Sequence, residues 1–190
     1  MKNRKFDYEV LDEIQKHWSP RAFDSHRVVP EEDLMAILEA ARYAPSCFNE
    51  QPWRYIVAKT PEDRDKLAGV LSASNKIWAS KAPVLLFIIS KQNFAKNNKP
   101  NRCHQFDAGT SWAFLLLEAQ RRGIITHAMS GFSMELARST YAIPDEYTII
   151  CAVAVGYYGN IEDLDADLQA REHPNTRLST EEILYQQAKQ

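Results

Sequence analysis

The sequence predicts one domain, residues 1–190, of mixed helix and strand, in the α/β or α+β class. Three observations carry that reading. Two runs, Val84 to Ser90 and Tyr147 to Gly156, are apolar almost throughout, as expected of strands covered on both faces. His104 to Arg122 repeats Ala108, Trp112, Leu115, Leu116 and Ala119 at helical spacing. Finally, helical and extended segments follow one another without a regular βαβ alternation, and there is no G-x-G-x-x-G, which removes a Rossmann dinucleotide site. With 190 residues, 45% of them hydrophobic, the chain is long enough for one sizeable core.

In chain order, Tyr8 to Lys16 places Val10, Leu11 and Ile14 on one helical face, with acids early and Lys16 late. Pro20 ends any extension. Pro30-Glu31-Glu32-Asp33 opens the next helix, with proline in the first turn and acids near the positive end; Leu34, Ile37, Leu38 and Ala41 form its buried stripe. Arg54 to Lys59 reads as a strand. Thr60 N-caps a helix lined by Leu67, Val70 and Leu71. Ser72 to Trp78 is a polar break or a short helix. Lys91 to Arg102, rich in Asn and Lys, reads as an exposed loop. Gly123 ends the long helix after a basic pair. Ile124 to His127 is extended, and Ser133 caps a helix that stops before Pro144. Ile161 to Arg177 reads as a polar surface arm, and Thr180 to Tyr185 as a short closing helix.

Composition narrows the functions. The formal charge is −2, from 23 Lys+Arg against 25 Asp+Glu with the signs interspersed, so no basic patch points to nucleic acid. Three cysteines without regular spacing argue against a disulfide framework and for a reducing compartment such as the cytoplasm. No C-x-x-C occurs, and the five histidines show no metal-ligand spacing. The amino terminus lacks the apolar run of a signal peptide, and the longest apolar run is far too short to span a bilayer.

The stretch Ala44-Pro45-Ser46-Cys47-Phe48-Asn49-Glu50-Gln51-Pro52-Trp53 lies between a helix and a strand. It combines two prolines, small hydrogen-bonding side chains and large apolar ones. Locally it fits a turn anchored by a buried Trp, or a binding loop. It resembles the A-P-S-S-x-N-x-Q-P-W loop of the FMN-dependent nitroreductase family. Upstream, Ser19-Pro20-Arg21-Ala22-Phe23 resembles that family's R-x-S-x-R-x-F segment, with His17 where an Arg is usual. The combination is specific, and the resemblance covers nearly the whole chain.

The resemblance implies an α+β, nitroreductase-like fold: a central, mostly antiparallel sheet flanked by helices, in an intertwined homodimer with FMN at the interface. It implies FMN contacts at His17, Trp18, Ser19 and Arg21, at Asn75, at Met129, Ser130 and Gly131, and at Arg177. Pro45, Ser46, Cys47, Asn49 and Gln51 would reach the FMN of the other subunit. Arg21 would stand by the reduced ring, and Arg177 by the phosphate, although Asn175 departs from the basic residue usual nearby. The implied activity is reduction of an electron-poor acceptor, such as a nitroaromatic or quinone, by NADH or NADPH in a ping-pong cycle. No residue stands out as a general acid. Two other readings stay open: an FMN-binding dimer without turnover, and a thiol-dependent enzyme using Cys47.

Overall fold

A computed structural model describes residues 4–185. Its centre is a four-stranded, wholly antiparallel sheet in the order β1-β2-β4-β3. The strands are β1 (Trp53–Ala58), β2 (Val84–Lys91), β3 (Ile125–Met129) and β4 (Tyr147–Gly156). Strand β2 is buried along nearly its whole length because successive side chains serve opposite faces. Leu85, Phe87 and Ile89 enter one core, and Val84, Leu86 and Ile88 enter the other.

Helices cover both faces. On one side lie α2 (Glu31–Arg42) and α5 (His104–Arg121), with Leu34, Ile37 and Ala41 packed with Ala108, Leu115 and Ala119 under Val153 and Val155. On the other lie α3 (Pro61–Ala68), α4 (Ala73–Ala79) and α6 (Met134–Tyr141), with Leu67, Trp78 and Ala137 under Phe87 and Ala152. The segregated order of these elements around an antiparallel sheet settles the class as α+β.

The caps follow the sequence. Thr60 accepts a hydrogen bond from the Asp63 N–H, and Ser133 accepts one from that of Leu136. Gly123, at φ +70°, closes α5: its N–H donates to Gln120 and that of Ile124 donates to Ala119, a paired carboxyl-terminal cap that needs a left-handed residue.

Three expectations change. The first helix, α1 (Asp12–Lys16), is five residues long and does not start at Tyr8; it buries no residue, so nothing stabilises a longer one. The stretch from Ser72 to Trp78, left open between a break and a short helix, is the helix α4 with Ser72 as its N-cap. The arm after Ile161 is not purely a surface feature. It carries the short helix α7 (Ala166–Gln169), Leu164 and Leu168 join the first core, and Glu172 is buried. A last turn, α8 (Thr180–Ile183), is capped by Ser179 and stays exposed.

Two corners of this frame matter for function. Residues 22–24 run beside the extension of β4: Asp24 N–H donates to Tyr157, and Gly159 N–H donates to Ala22. That fixes the Ser19–Arg21 turn at the β3 edge, where β4 ends. The loop before Trp53 lies at the other edge, beside the start of β4.

Candidate functional site

At the β3 edge, Arg4, Trp18, Ser19, Arg21, His127, Arg171, His173, Asn175 and Arg177 enclose a polar cleft of about 220 Å³. Four of these are arginines. Among the described residues none of the four has a carboxylate within 4.0 Å. Arg4 is tied in place by backbone oxygens: Nη1 donates to the His17 carbonyl at 2.6 Å and Nε to that of Asn175 at 3.2 Å. Arg177 donates to the Thr176 carbonyl at 3.0 Å. Burial, and then the charge of Arg177, pulls the Arg4 guanidinium below its ordinary value. Two cations held this close without an anion make an anion site.

Two histidines at the cleft, His17 and His127, are disfavoured as cations. His17 titrates below its ordinary range because it is half-buried and faces Arg4 and Arg177. His127 is pushed down to about 4, chiefly by burial, with Arg21 and His17 adding to it against the hydrogen bond to Pro20. That bond spans 2.8 Å from Nδ1 to the Pro20 carbonyl. A carbonyl only accepts, so Nδ1 carries the proton and Nε2 is the acceptor. Burial also lowers Arg21, Glu172 opposes that shift, and Arg21 stays a cation.

Behind the cleft, buried beneath Arg21 and His127, lies Trp78. The Arg21 guanidinium lies 6.0 Å from the centre of the Trp78 ring, and the His127 ring sits 4.5 Å from it. One turn before Trp78, Asn75 Nδ2 donates to the Gly131 carbonyl at 3.1 Å. A Cβ at Gly131 would lie 2.5 Å from Asn75 Nδ2 and 2.8 Å from Ser72 Oγ, so a larger residue there would push both side chains aside. Met129 is buried and Ser130 is exposed. Trp18, Ser19, Arg21 and Arg177 thus line the cleft, His17 is tied to it through Arg4, and Asn75 and Gly131 lie beyond Trp78.

The loop residues are not part of it. Pro45, Ser46, Cys47, Asn49 and Gln51 lie at the opposite edge and opposite end of the sheet. There the chain forms one turn of 3₁₀ helix, Cys47–Asn49, and Trp53 is buried. Phe48, Asn49 and Gln51 have φ of 52°, 57° and 49°. Each left-handed non-glycine residue costs roughly 1–2 kcal/mol. Gln51 N–H donates to Ser46 Oγ at 3.0 Å and Cys47 N–H to Asp107 Oδ2 at 3.1 Å, which holds the strained form. Phe48 is 90% exposed. Strained backbone and a bare aromatic ring together mark a surface built for contact.

The sequence profile of the Nitroreductase family matches residues 14–77 and 71–157. A solved structure described as an oxidoreductase containing FMN superposes with a TM-score of 0.91 at 36% identity, covering 97% of this chain and 95% of its own. The chain belongs to the nitroreductase family. A family protein from Clostridium difficile shares the fold at a TM-score of 0.73 and 21% identity, over 95% of this chain and 99% of that one. The major NAD(P)H-flavin oxidoreductase of Aliivibrio fischeri is 22% identical over 93% of this chain and 98% of its own length.

Sequence reasoning missed Arg4, Arg171 and His173 in this nitroreductase-family cleft. The signal for the last two was present: Arg171, His173 and Arg177 bring three basic side chains within seven positions of an arm read as polar and acidic. Asn175 contributes its backbone carbonyl, which binds Arg4, rather than a charge. The thiol reading of Cys47 fares poorly. Burial, and then the Cys103 thiol, pushes its thiol up, which disfavours the thiolate. His104 is engaged instead with Ser90 Oγ at 3.2 Å. Among the described residues, no group of three or more His, Cys, Asp or Glu could hold a metal, and no helix is long and apolar enough to cross a membrane.

Proposed function

We propose that the protein is an FMN-dependent oxidoreductase that takes hydride from NADH or NADPH and reduces an electron-poor acceptor, a nitroaromatic or quinone, in a ping-pong cycle. The observation that carries this reading is the cleft of four guanidiniums without a carboxylate partner among the described residues. Bound FMN would supply the two-electron hydride chemistry.

The chain's residues have the complementary chemistry. Arg4, Ser19 and Arg177 offer charge and donors to the phosphate. Arg21 holds a positive charge beside Trp78, for the negative charge that reduction creates. Asn75 and the backbone about Gly131 offer amide groups to a polar ring edge. No side chain of the cleft is required as an acid, since solvent can deliver the protons.

Ser46, Asn49 and Gln51 can reach such a site only from a second copy of the chain. Phe106 and Phe114 of α5, with Tyr43 and Phe48, leave a broad apolar surface exposed, which an isologous dimer would cover. The three free cysteines suit a cytoplasmic setting. Purified protein should be yellow, and anaerobic NADH or NADPH should bleach it. Yellow protein that neither nucleotide bleaches would leave an FMN-binding dimer without turnover. Colourless protein inactivated by an alkylating agent would favour the thiol enzyme.

His17 gives a pH test. In the free protein Arg4, Arg177 and burial hold it neutral. A phosphate dianion reverses the balance and raises its pKa in the complex. A group whose pKa rises on binding strengthens binding below that pKa and stops doing so above it. FMN affinity therefore falls as pH rises from about 6 to 8. The His17→Arg variant shares the phosphate's own titration and not the imidazole's, so its dissociation constants should rise less steeply over the same range. Parallel curves would place His17 away from the phosphate.

A further inference from the structure

The arm that brings Arg171 and His173 to the cleft also carries Glu172, which is 7% exposed and does not line the cleft. Its Oε1 accepts two backbone hydrogen bonds, from Arg21 N–H at 2.7 Å and from Ala22 N–H at 2.9 Å. Its Oε2 is buried and has no partner among the described residues. The contact joins positions 151 and 150 residues apart in sequence. It is the buried carboxylate of the arm, and it grips the turn from which Arg21 projects.

A lone buried carboxylate is expensive, and a neutral acceptor would satisfy the same two N–H groups. Something must compensate for the charge. The compensation available is the cationic cleft on the other side of the turn, where Arg21 and Arg171 stand. Short bonds to an ionised acceptor are stronger and more directional than neutral ones. They fix the φ and ψ of Arg21 itself, and so the direction in which its side chain leaves the backbone.

We infer that Glu172 is a positioning residue that aims Arg21 at the bound cofactor and sets the cofactor's reduction potential through it. The inference rests on the proposed FMN site. Two effects of opposite sign follow. The hydrogen bonds hold the cation in place, which raises the potential. The carboxylate's own charge offsets part of that cation, which lowers it.

Glu172→Asp retains the charge and shortens the reach by one methylene. It should shift the midpoint potential down, by no more than Arg21→Ala does, with a smaller loss of FMN affinity. Glu172→Gln retains an oxygen for the two N–H groups and deletes the charge. Its potential should not fall below that of the wild type, and its FMN dissociation constant should stay within about threefold. The Arg21→Ala/Glu172→Asp double variant should have the potential of Arg21→Ala alone, because the clamp has nothing left to aim.

Glu172→Ala is harsher, since it leaves two buried N–H groups unpaired; if it does not fold, the Asp variant carries the test. Equilibrium reduction against a reference dye and FMN fluorescence titration read both quantities. A wild-type potential in Glu172→Asp, or a shift that adds in full to that of Arg21→Ala, overturns the inference while leaving the proposed function standing. An Arg21→Ala potential equal to that of wild type also overturns the inference, whereas colourless wild-type protein fails the proposed site first and the inference with it.

Discussion

Arg21→Ala should lower the midpoint potential of bound flavin by roughly 20–65 mV, the two-electron equivalent of ~1–3 kcal/mol for a charge-assisted hydrogen bond. Oxidised FMN has a neutral ring, whereas the reduced ring is anionic, so a nearby cation discriminates between the two states. FMN affinity should change less than the potential, because Arg4, Arg171 and Arg177 remain to hold the phosphate. Arg21 suits this role because it is half-buried against Trp78 and engages no carboxylate within ion-pair distance among the described residues, so its charge is poorly screened. Arg21→Lys should recover part of the potential. If Arg21→Ala leaves the potential where it was and weakens FMN binding instead, Arg21 belongs with the phosphate group.

The cleft shows what a single sequence makes legible. Ser19 and Arg21 were visible as a local motif, and Arg177 as a cation close to it in kind. Arg4 and Glu172 were not. Arg4 sits in a terminal run of mixed charge where any arginine reads as solvated, and its value comes from a 2.6 Å bond to the His17 carbonyl that no local pattern announces. Glu172 lies in an arm whose many acids suggest only a wet surface; its burial depends on Leu164 and Leu168 anchoring that arm in the core. The fold was easier, because its signals are periodic. The alternation of β2 between two cores and the Gly123 cap of α5 follow from local chemistry. That the sheet is antiparallel did not follow, since an apolar run reads the same in either direction. The strain at Phe48, Asn49 and Gln51 was likewise hidden: nothing in a loop with a proline near each end says which residues take positive φ.

Acid should destabilise the FMN-free protein earlier than its carboxylates alone would cause, and His127 should be the reason. Its imidazole titrates near 4 in the folded chain against ~6.5 when unfolded. The folded state therefore resists a proton that the unfolded state accepts. The sign is fixed by that difference: the contribution is fully present above the unfolded value, and is lost as pH falls towards the folded one. Between pH 7.5 and 5 the loss should be roughly 2 kcal/mol, an upper figure because the ring is only partly buried. Most native carboxylates titrate below that window, so they add little within it. His17, also lowered, contributes in the same direction. His127→Gln keeps a side-chain N–H for the Pro20 carbonyl and cannot take up a proton. Urea unfolding of both proteins across this range should give a steep loss of stability for the wild type and a shallower one for the variant. Equal slopes would mean that the ring is protonated without penalty, and that the cleft is wetter and less positive than its four arginines and buried histidine make it.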